Sequence, residues 1–347
     1  MNRALYKKKL FSAFKIIFSI GLGVYLTWYL FDKMTLEEIA VFKNAIRNAN
    51  PWYISLSLIL AFISYISRAY RWGLTLHPVG YHSTLKNQYH SLMIGYLVNM
   101  TIPRAGEFTR SLMLKRSDNI PVAGSFGTIV TERIVDMIIL LSISLLSIFL
   151  NKAEAYAIIS NLKKGFFGES QTEVESGVSW SLWLGFIFII LVGIVFFNKK
   201  IKFKLFAFLK SLKEGVLSIF KVKKVWSYVL HTLLIWGSYL IMFALPFWAI
   251  DATAGVPISG MFLAFIFGAV GISFTNGGMG AYPLLIGITT AYYINNSGGS
   301  DGLAIGNALG MVIWATQTIF LILLGLISLV LMPRKYNTDE KLSLIHI

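Results

Sequence analysis

The sequence predicts an all-α polytopic membrane protein, and three observations carry that prediction. The 347 residues are 56% hydrophobic and only 14% charged, where a soluble domain carries about 25% charge. The mean hydropathy is +0.68, and the apolar residues are gathered into runs of about 20, the length that crosses a bilayer. Lysines and arginines cluster in short loops beside those runs, the pattern that sets membrane orientation. The expected organisation is one transmembrane domain over 1–335 and a tail over 336–347. It holds about eight hydrophobic segments: six full spans plus two re-entrant hairpins, in an inverted-topology repeat.

The first element is a retained helix, Phe11–Phe31, behind the basic residues Arg3, Lys7, Lys8 and Lys9. It is too long for a signal peptide, and no small-residue cleavage site follows. Residues 32–50 mix Glu37 and Glu38 with Lys43 and Arg47 and predict a short amphipathic helix on the outer surface. Pro51–Tyr70 is the second span, ending in Ser67-Arg-Ala-Tyr-Arg-Trp72. Arg68 and Arg71 admit two readings: snorkelling to lipid headgroups, or a place at the mouth of a cavity.

Residues 87–118 do not form an ordinary span. The apolar part, His90–Ile102, is too short, and Lys115 and Arg116 follow the break. Pro103 and Gly106 interrupt the helix. A re-entrant hairpin with its tip at Thr101–Gly106 accounts for both ends lying on one side, and irregular backbone at that depth must be buried in protein or line water. Ser125–Leu150 is the next span and carries Glu132, Arg133 and Asp136. Glu132 and Asp136 share a face, and Arg133 and Asp136 have the spacing to pair. These charges fit either a structural ion-pair network or a polar pathway supporting the Arg104 loop.

Residues 151–178 read as an external loop, and Trp180–Phe197 as an inward span. Asn198–Lys224 is lysine-rich with an apolar stripe; residues 199–224 predict an amphipathic helix on the cytoplasmic leaflet. Val225–Ile250 spans outward. Met261–Phe274 and Leu284–Ile294 are half-spans separated by Thr275-Asn-Gly-Gly-Met-Gly-Ala-Tyr-Pro283, a second hairpin. Leu303–Met332 returns, stopped by Arg334 and Lys335.

Span, hairpin, span therefore occurs twice, over about 51–150 and 225–332, in opposite orientations. Inverted repeats of this kind put substrate near the midplane, faced by half-helix N-termini. Pro103 suits a first helical turn capped by Thr101 or Ile102, and Asn276 is a good N-cap. Gly277, Gly278 and Gly280 leave backbone N–H groups open to a ligand, although glycines there also serve close helix packing. With Arg104, Glu107, Arg110 and Asn99 on the other tip, the expected ligand is a membrane lipid with an anionic headgroup. A guanidinium gives such a phosphate bidentate geometry.

Other function classes are excluded or unsupported. The net charge is +15, but no basic patch interleaved with aromatics lies in a polar domain, so nucleic acid is not an expected partner. There is no cysteine, which excludes disulfides, thiolate zinc and thiol catalysis. His77, His82, His90, His231 and His346 lack tight ligand spacing, so neither a metal nor a cofactor is expected.

These residues resemble the lysylphosphatidylglycerol synthase transmembrane region, or flippase-like membrane domain, family. The resemblance covers about residues 10–332. It rests on Arg68-Ala-Tyr-Arg71-Trp72, on Asn99 with Pro103-Arg-Ala-Gly-Glu107 and Arg110, and on Glu132-Arg133 with Asp136. The tip Gly277-Gly-Met-Gly280 departs from the family pattern, which has a proline at Asn276 and a glutamate at Pro283. Members with a fused soluble domain attach an amino acid to phosphatidylglycerol in that domain. The resemblance here implies the lipid-translocating part without the synthase part.

The expectation is thus a flippase moving an anionic phospholipid or polyprenyl-phosphate lipid across the cytoplasmic membrane. Both termini would be cytoplasmic, Arg104 would hold the phosphate, and Glu107 would pair with Arg104 or Arg110 in the empty site. The alternatives are a lipid-modifying transferase, for which no metal motif or nucleophile signature is present, and a non-transporting accessory protein.

Overall fold

In the computed structural model of the chain, residues 20–32, 34–102, 104–167 and 224–333 are described. Every regular element among them is helical. Residues 20–32 form α1. Helix α2, Leu36–Arg47, starts at a capping box in which the Thr35 hydroxyl accepts from Glu38 N–H and the Glu38 carboxylate accepts from Thr35 N–H, satisfying two orphan donors. Asn50 and Pro51 then open α3, Pro51–Leu76, as N-cap and first helical residue, a combination both residues favour.

Helix α3 does not stop at Tyr70. It runs to Leu76 and continues as a 3-10 turn to Val79, because Trp72, Leu74 and Leu76 are buried against the protein. Arg68 and Arg71 consequently lie within the helix at 5% and 0% exposure, and the snorkelling reading is corrected.

Helices α4, Leu85–Thr101, and α5, Gly106–Asp118, form an antiparallel hairpin. At its base the Asp118 carboxylate accepts from Ser83 Oγ at 2.9 Å, Asn87 Nδ2 at 2.9 Å and Ser117 Oγ at 2.8 Å. Near its tip Gly95 and Gly106 meet backbone to backbone, leaving no room for a Cβ on either. Helix α6, Val122–Leu150, follows.

The predicted loop after residue 151 is instead a helix, α7, Lys152–Phe167. Its Ala155 and Ile158 are buried with Leu263, and Leu162 packs against that group. Their spacing of three and four is a helical stripe, which a reading based on charge alone passes over. Asn151 anchors the corner: its Nδ2 donates to Ser259 O at 3.2 Å and its Oδ1 accepts from Tyr293 Oη at 3.2 Å.

Helix α8, Val225–Ala244, is followed by two short 3-10 turns and then by the second antiparallel pair, α9, Ile258–Phe274, and α10, Ala281–Asn296. The interruption between them is shorter than predicted, because Pro283 belongs to the first turn of α10, where its missing N–H costs nothing. Helix α11, Gly302–Leu331, closes the described fold.

Among the described residues four helices are long and apolar enough to cross a membrane, α3, α6, α8 and α11 with their adjoining turns, while the shorter α9 is apolar without that length. The chain is an integral membrane protein. The largest buried cluster joins Phe243, Phe247, Met261, Ile286 and Ile313 from α8 to α11. The span predicted at Trp180–Phe197, the amphipathic stretch over 199–223, the first half of Phe11–Phe31 and the tail lie outside the described residues.

Candidate functional site

The two interrupted segments, far apart in sequence, meet in space. Asn276 Nδ2 donates to Met100 O at 2.6 Å, and a Cβ on Gly277 would come within 2.7 Å of Met100 Cε. Trp314 Nε1 of α11 donates to Gly277 O at 2.8 Å. Gly277, Gly278 and Gly280 all have positive φ, 62°, 77° and 71°, a region L side chains rarely adopt. A Cβ on Gly280 would also strike Gly23 O and Thr27 N of α1. The glycines thus serve the turn and its seat on α1.

Capping differs from expectation at both tips. Asn276 does not cap α10; its amide spans the two tips, and Gly280 stands at the N-cap with no side-chain hydrogen bond. Neither Thr101 nor Ile102 caps α5. The Thr101 hydroxyl turns back to Val98 O, and Asn99 Oδ1 accepts from Gly106 N at 2.7 Å. Asn99 therefore closes the loop around residues 100–105. Pro103 lies outside the described residues.

Arg104 is exposed at this tip, with φ 65°. No hydrogen bond or ion pair to its side chain is made among the described residues. A non-glycine residue with positive φ is uncommon, and here the tight turn closed by Ala105 N to Ile102 O at 3.2 Å imposes it.

Behind the tip the remaining charges form three pairings. The Asp136 carboxylate accepts from Arg68 Nη2 at 2.9 Å and Arg71 Nη2 at 2.8 Å, one guanidinium on each oxygen. Arg110 Nη1 pairs with Glu132 Oε2 at 3.1 Å, both nearly fully buried. Arg133 Nη2 pairs with Glu107 Oε1 at 3.0 Å, with side chains 41% and 26% exposed. Two expectations are corrected. Arg133 turns to Glu107 rather than to Asp136, because Asp136 is occupied by α3. Glu107 pairs with neither Arg104 nor Arg110, because Arg110 is drawn inward to Glu132.

Aromatic and hydroxyl groups complete this network, and sequence reasoning missed them. Arg110 lies 3.6 Å over the Trp72 ring, Arg68 5.5 Å from Tyr239 and Arg71 5.5 Å from Tyr228, a desolvated cation–π environment. Arg68 Nη1 donates to Tyr96 Oη and Arg71 Nη1 to Thr232 Oγ1, both at 3.2 Å. Trp72, beside Arg71 in sequence, was the one visible signal. Tyr96, Tyr228, Thr232 and Tyr239 come from other helices and carry no local mark. Arg110 Nε and Nη2 and Glu132 Oε1 have no hydrogen-bond partner among the described residues. Arg110 borders a space of about 10 Å³ that Asn99, Gly106, Glu107 and Arg133 also line, room for about one water.

Comparisons with known proteins find membrane-protein relatives. The lysylphosphatidylglycerol synthase TM region family matches residues 16–285. A UPF0104 membrane protein of Methanocaldococcus jannaschii is 29% identical over 122 residues, 34% of this chain and 36% of the relative. A UPF0104 membrane protein of Methanothermobacter thermautotrophicus is 26% identical over 109 residues, 30% of this chain and 32% of the relative. The matched region spans about a third of the length of these curated relatives. No solved structure matches. With broken hairpins, a buried arginine–carboxylate network and a match over residues 16–285, the chain belongs to the lysylphosphatidylglycerol synthase TM region family.

Proposed function

We propose that the protein translocates a lipid with an anionic headgroup, an anionic phospholipid or a polyprenyl phosphate, across the cytoplasmic membrane. The observation that carries this reading is Arg104. It is the one formal charge at the junction of the two tips without an ion-pair partner among the described residues, and it is exposed. An unpaired cation in an apolar frame is costly unless it meets water or an anion.

The two hairpins are read as re-entrant and as halves of an inverted repeat. The junction of Met100 with Asn276 and Gly277 supports this reading. In it, Arg104 and the α5 N-terminus receive the phosphate, and the glycine tip approaches it by backbone. The buried pairs on Arg68, Arg71, Arg110, Glu132 and Asp136 hold the frame and contact no headgroup. The termini are assigned to the cytoplasm from the placement of basic residues. No catalytic residue is assigned.

The test is transport of labelled anionic and zwitterionic lipids in liposomes by the native protein and by Arg104→Ala. The expected result is selective movement of anionic lipid, slowed at least about tenfold by the substitution, the equivalent of about 1.4 kcal/mol. Equal movement by both would remove Arg104 from the mechanism. No movement of any lipid would favour the accessory reading.

A further inference from the structure

A second cavity lies away from the tips. A space of about 1070 Å³ lies at the base of the α4–α5 hairpin, between the end of α3, the start of α4 and the first half of α6. Gln88, on its wall, is separated from Asn99 by eleven residues of helix, about 16 Å of rise. The cavity and the Arg104 tip are therefore different places on the same hairpin.

The lining has a one-sided chemistry. Among the described residues its only ionisable groups besides the Tyr70 phenol are His77, His82 and Lys224, and none of these is acidic. All three are exposed. The two imidazoles face each other with ring centres 5.1 Å apart. None of the three side chains makes a hydrogen bond or ion pair among the described residues. The nearby carboxylate, Asp118, is already held by Ser83, Asn87 and Ser117. Three nitrogen-bearing side chains around one opening, with neither a partner nor a counter-charge among the described residues, favour an anion. Apart from Tyr70 and Gln88 the rest of the described wall is small or apolar, and the volume lies at the upper end of ligand-sized cavities, far more than a bare phosphate fills.

We infer that this cavity is a second binding site for a phosphate-bearing amphiphile, whose headgroup is held by His77, His82 and Lys224. Lys224 supplies fixed charge and the imidazoles supply directional N–H donors. The site goes beyond the transport reading, since binding here requires no translocation and no contribution from Arg104.

Gly127 makes a direct test possible. It lines the cavity, and a Cβ added there meets nothing within 4 Å. Gly127→Leu should therefore fold, gain helix propensity and fill the space. The purified full chain in detergent is titrated with dioctanoyl phosphatidate, dioctanoyl phosphatidylcholine and inorganic phosphate, and binding is read by native mass spectrometry and by the shift in melting temperature.

The phosphatidate should bind in preference to the phosphatidylcholine. Gly127→Leu should weaken it at least about tenfold with an unchanged melting temperature in the absence of ligand, and the His82→Ala/Lys224→Ala double variant should weaken it similarly. Arg104→Ala should leave the Gly127-sensitive binding intact, which separates this site from the tip. Phosphatidate affinity undiminished by Gly127→Leu, or Gly127-sensitive binding lost on Arg104→Ala, overturns the proposal. Inorganic phosphate binding as tightly as the phosphatidate would assign the cavity to a free anion and overturn it equally.

Discussion

At the scale of single residues, the electrostatics are ranked by burial. Asp136 sits between two buried guanidinium groups, and removing one partner of a buried pair leaves uncompensated charge, at about 3–5 kcal/mol. Asp136→Ala should therefore lower stability by that order in denaturant unfolding of the detergent-solubilised protein. Arg133→Ala breaks a half-exposed pair and should cost about 0–1 kcal/mol. Similar losses for the two would contradict the ranking. Asn99→Ala should remove the acceptor of the buried Gly106 N–H, about 1–3 kcal/mol, with faster hydrogen exchange at the start of α5 as its local signature. The residue types of this network were legible because charge inside apolar sequence is conspicuous. Their pairings were not. Residues four apart on α6 share a face, but which partner each meets depends on what α3 and α5 present to it.

At the scale of elements, close approach of helices decides the packing. Gly302, Gly306 and Gly310 recur every fourth residue on α11, and their faces lie against α10. A Cβ on Gly306 would strike Gly287 O, and one on Gly310 would meet Pro283 O at 2.5 Å. Small residues at this spacing let two backbones touch. Gly306→Leu should force the pair apart, costing about 1–3 kcal/mol or more in unfolding, whereas Gly237→Leu, with nothing within 4 Å of its Cβ, should be near neutral. The repeat is visible in the sequence, but hydropathy alone marks it only as part of an apolar span. Element ends were less legible. Helix α3 outran its apolar stretch because burial, not hydropathy, sustains Trp72–Leu76, and α7 was hidden in a segment whose polar face dominates its composition.

At the scale of the whole molecule, the functional reading turns on the meeting of the two tips. The chain has no cysteine, so Met100→Cys combined with Asn276→Cys introduces the only thiols. The Asn276–Met100 contact predicts rapid oxidative cross-linking of this pair. If the tips must separate for a lipid to pass, the cross-linked protein should lose transport in liposomes and regain it on reduction. Cross-linking without loss of transport would place the moving part elsewhere. Failure to cross-link would contradict the junction itself.

The sequence by itself determined that this is a helical membrane protein, where four of its spans lie, that two apolar segments are broken, and which charged residues are out of place in such a frame. Those properties follow from composition and period, which are local and additive along the chain. Only the tertiary structure decided that Arg68 and Arg71 share Asp136, that Arg110 stacks on Trp72, that Asn276 bonds across the tips rather than capping its own helix, and that a cavity bordered by His77, His82 and Lys224 opens at the hairpin base. Each of these is a contact between segments remote in sequence, selected by burial and by competition among partners that no single stretch of sequence contains.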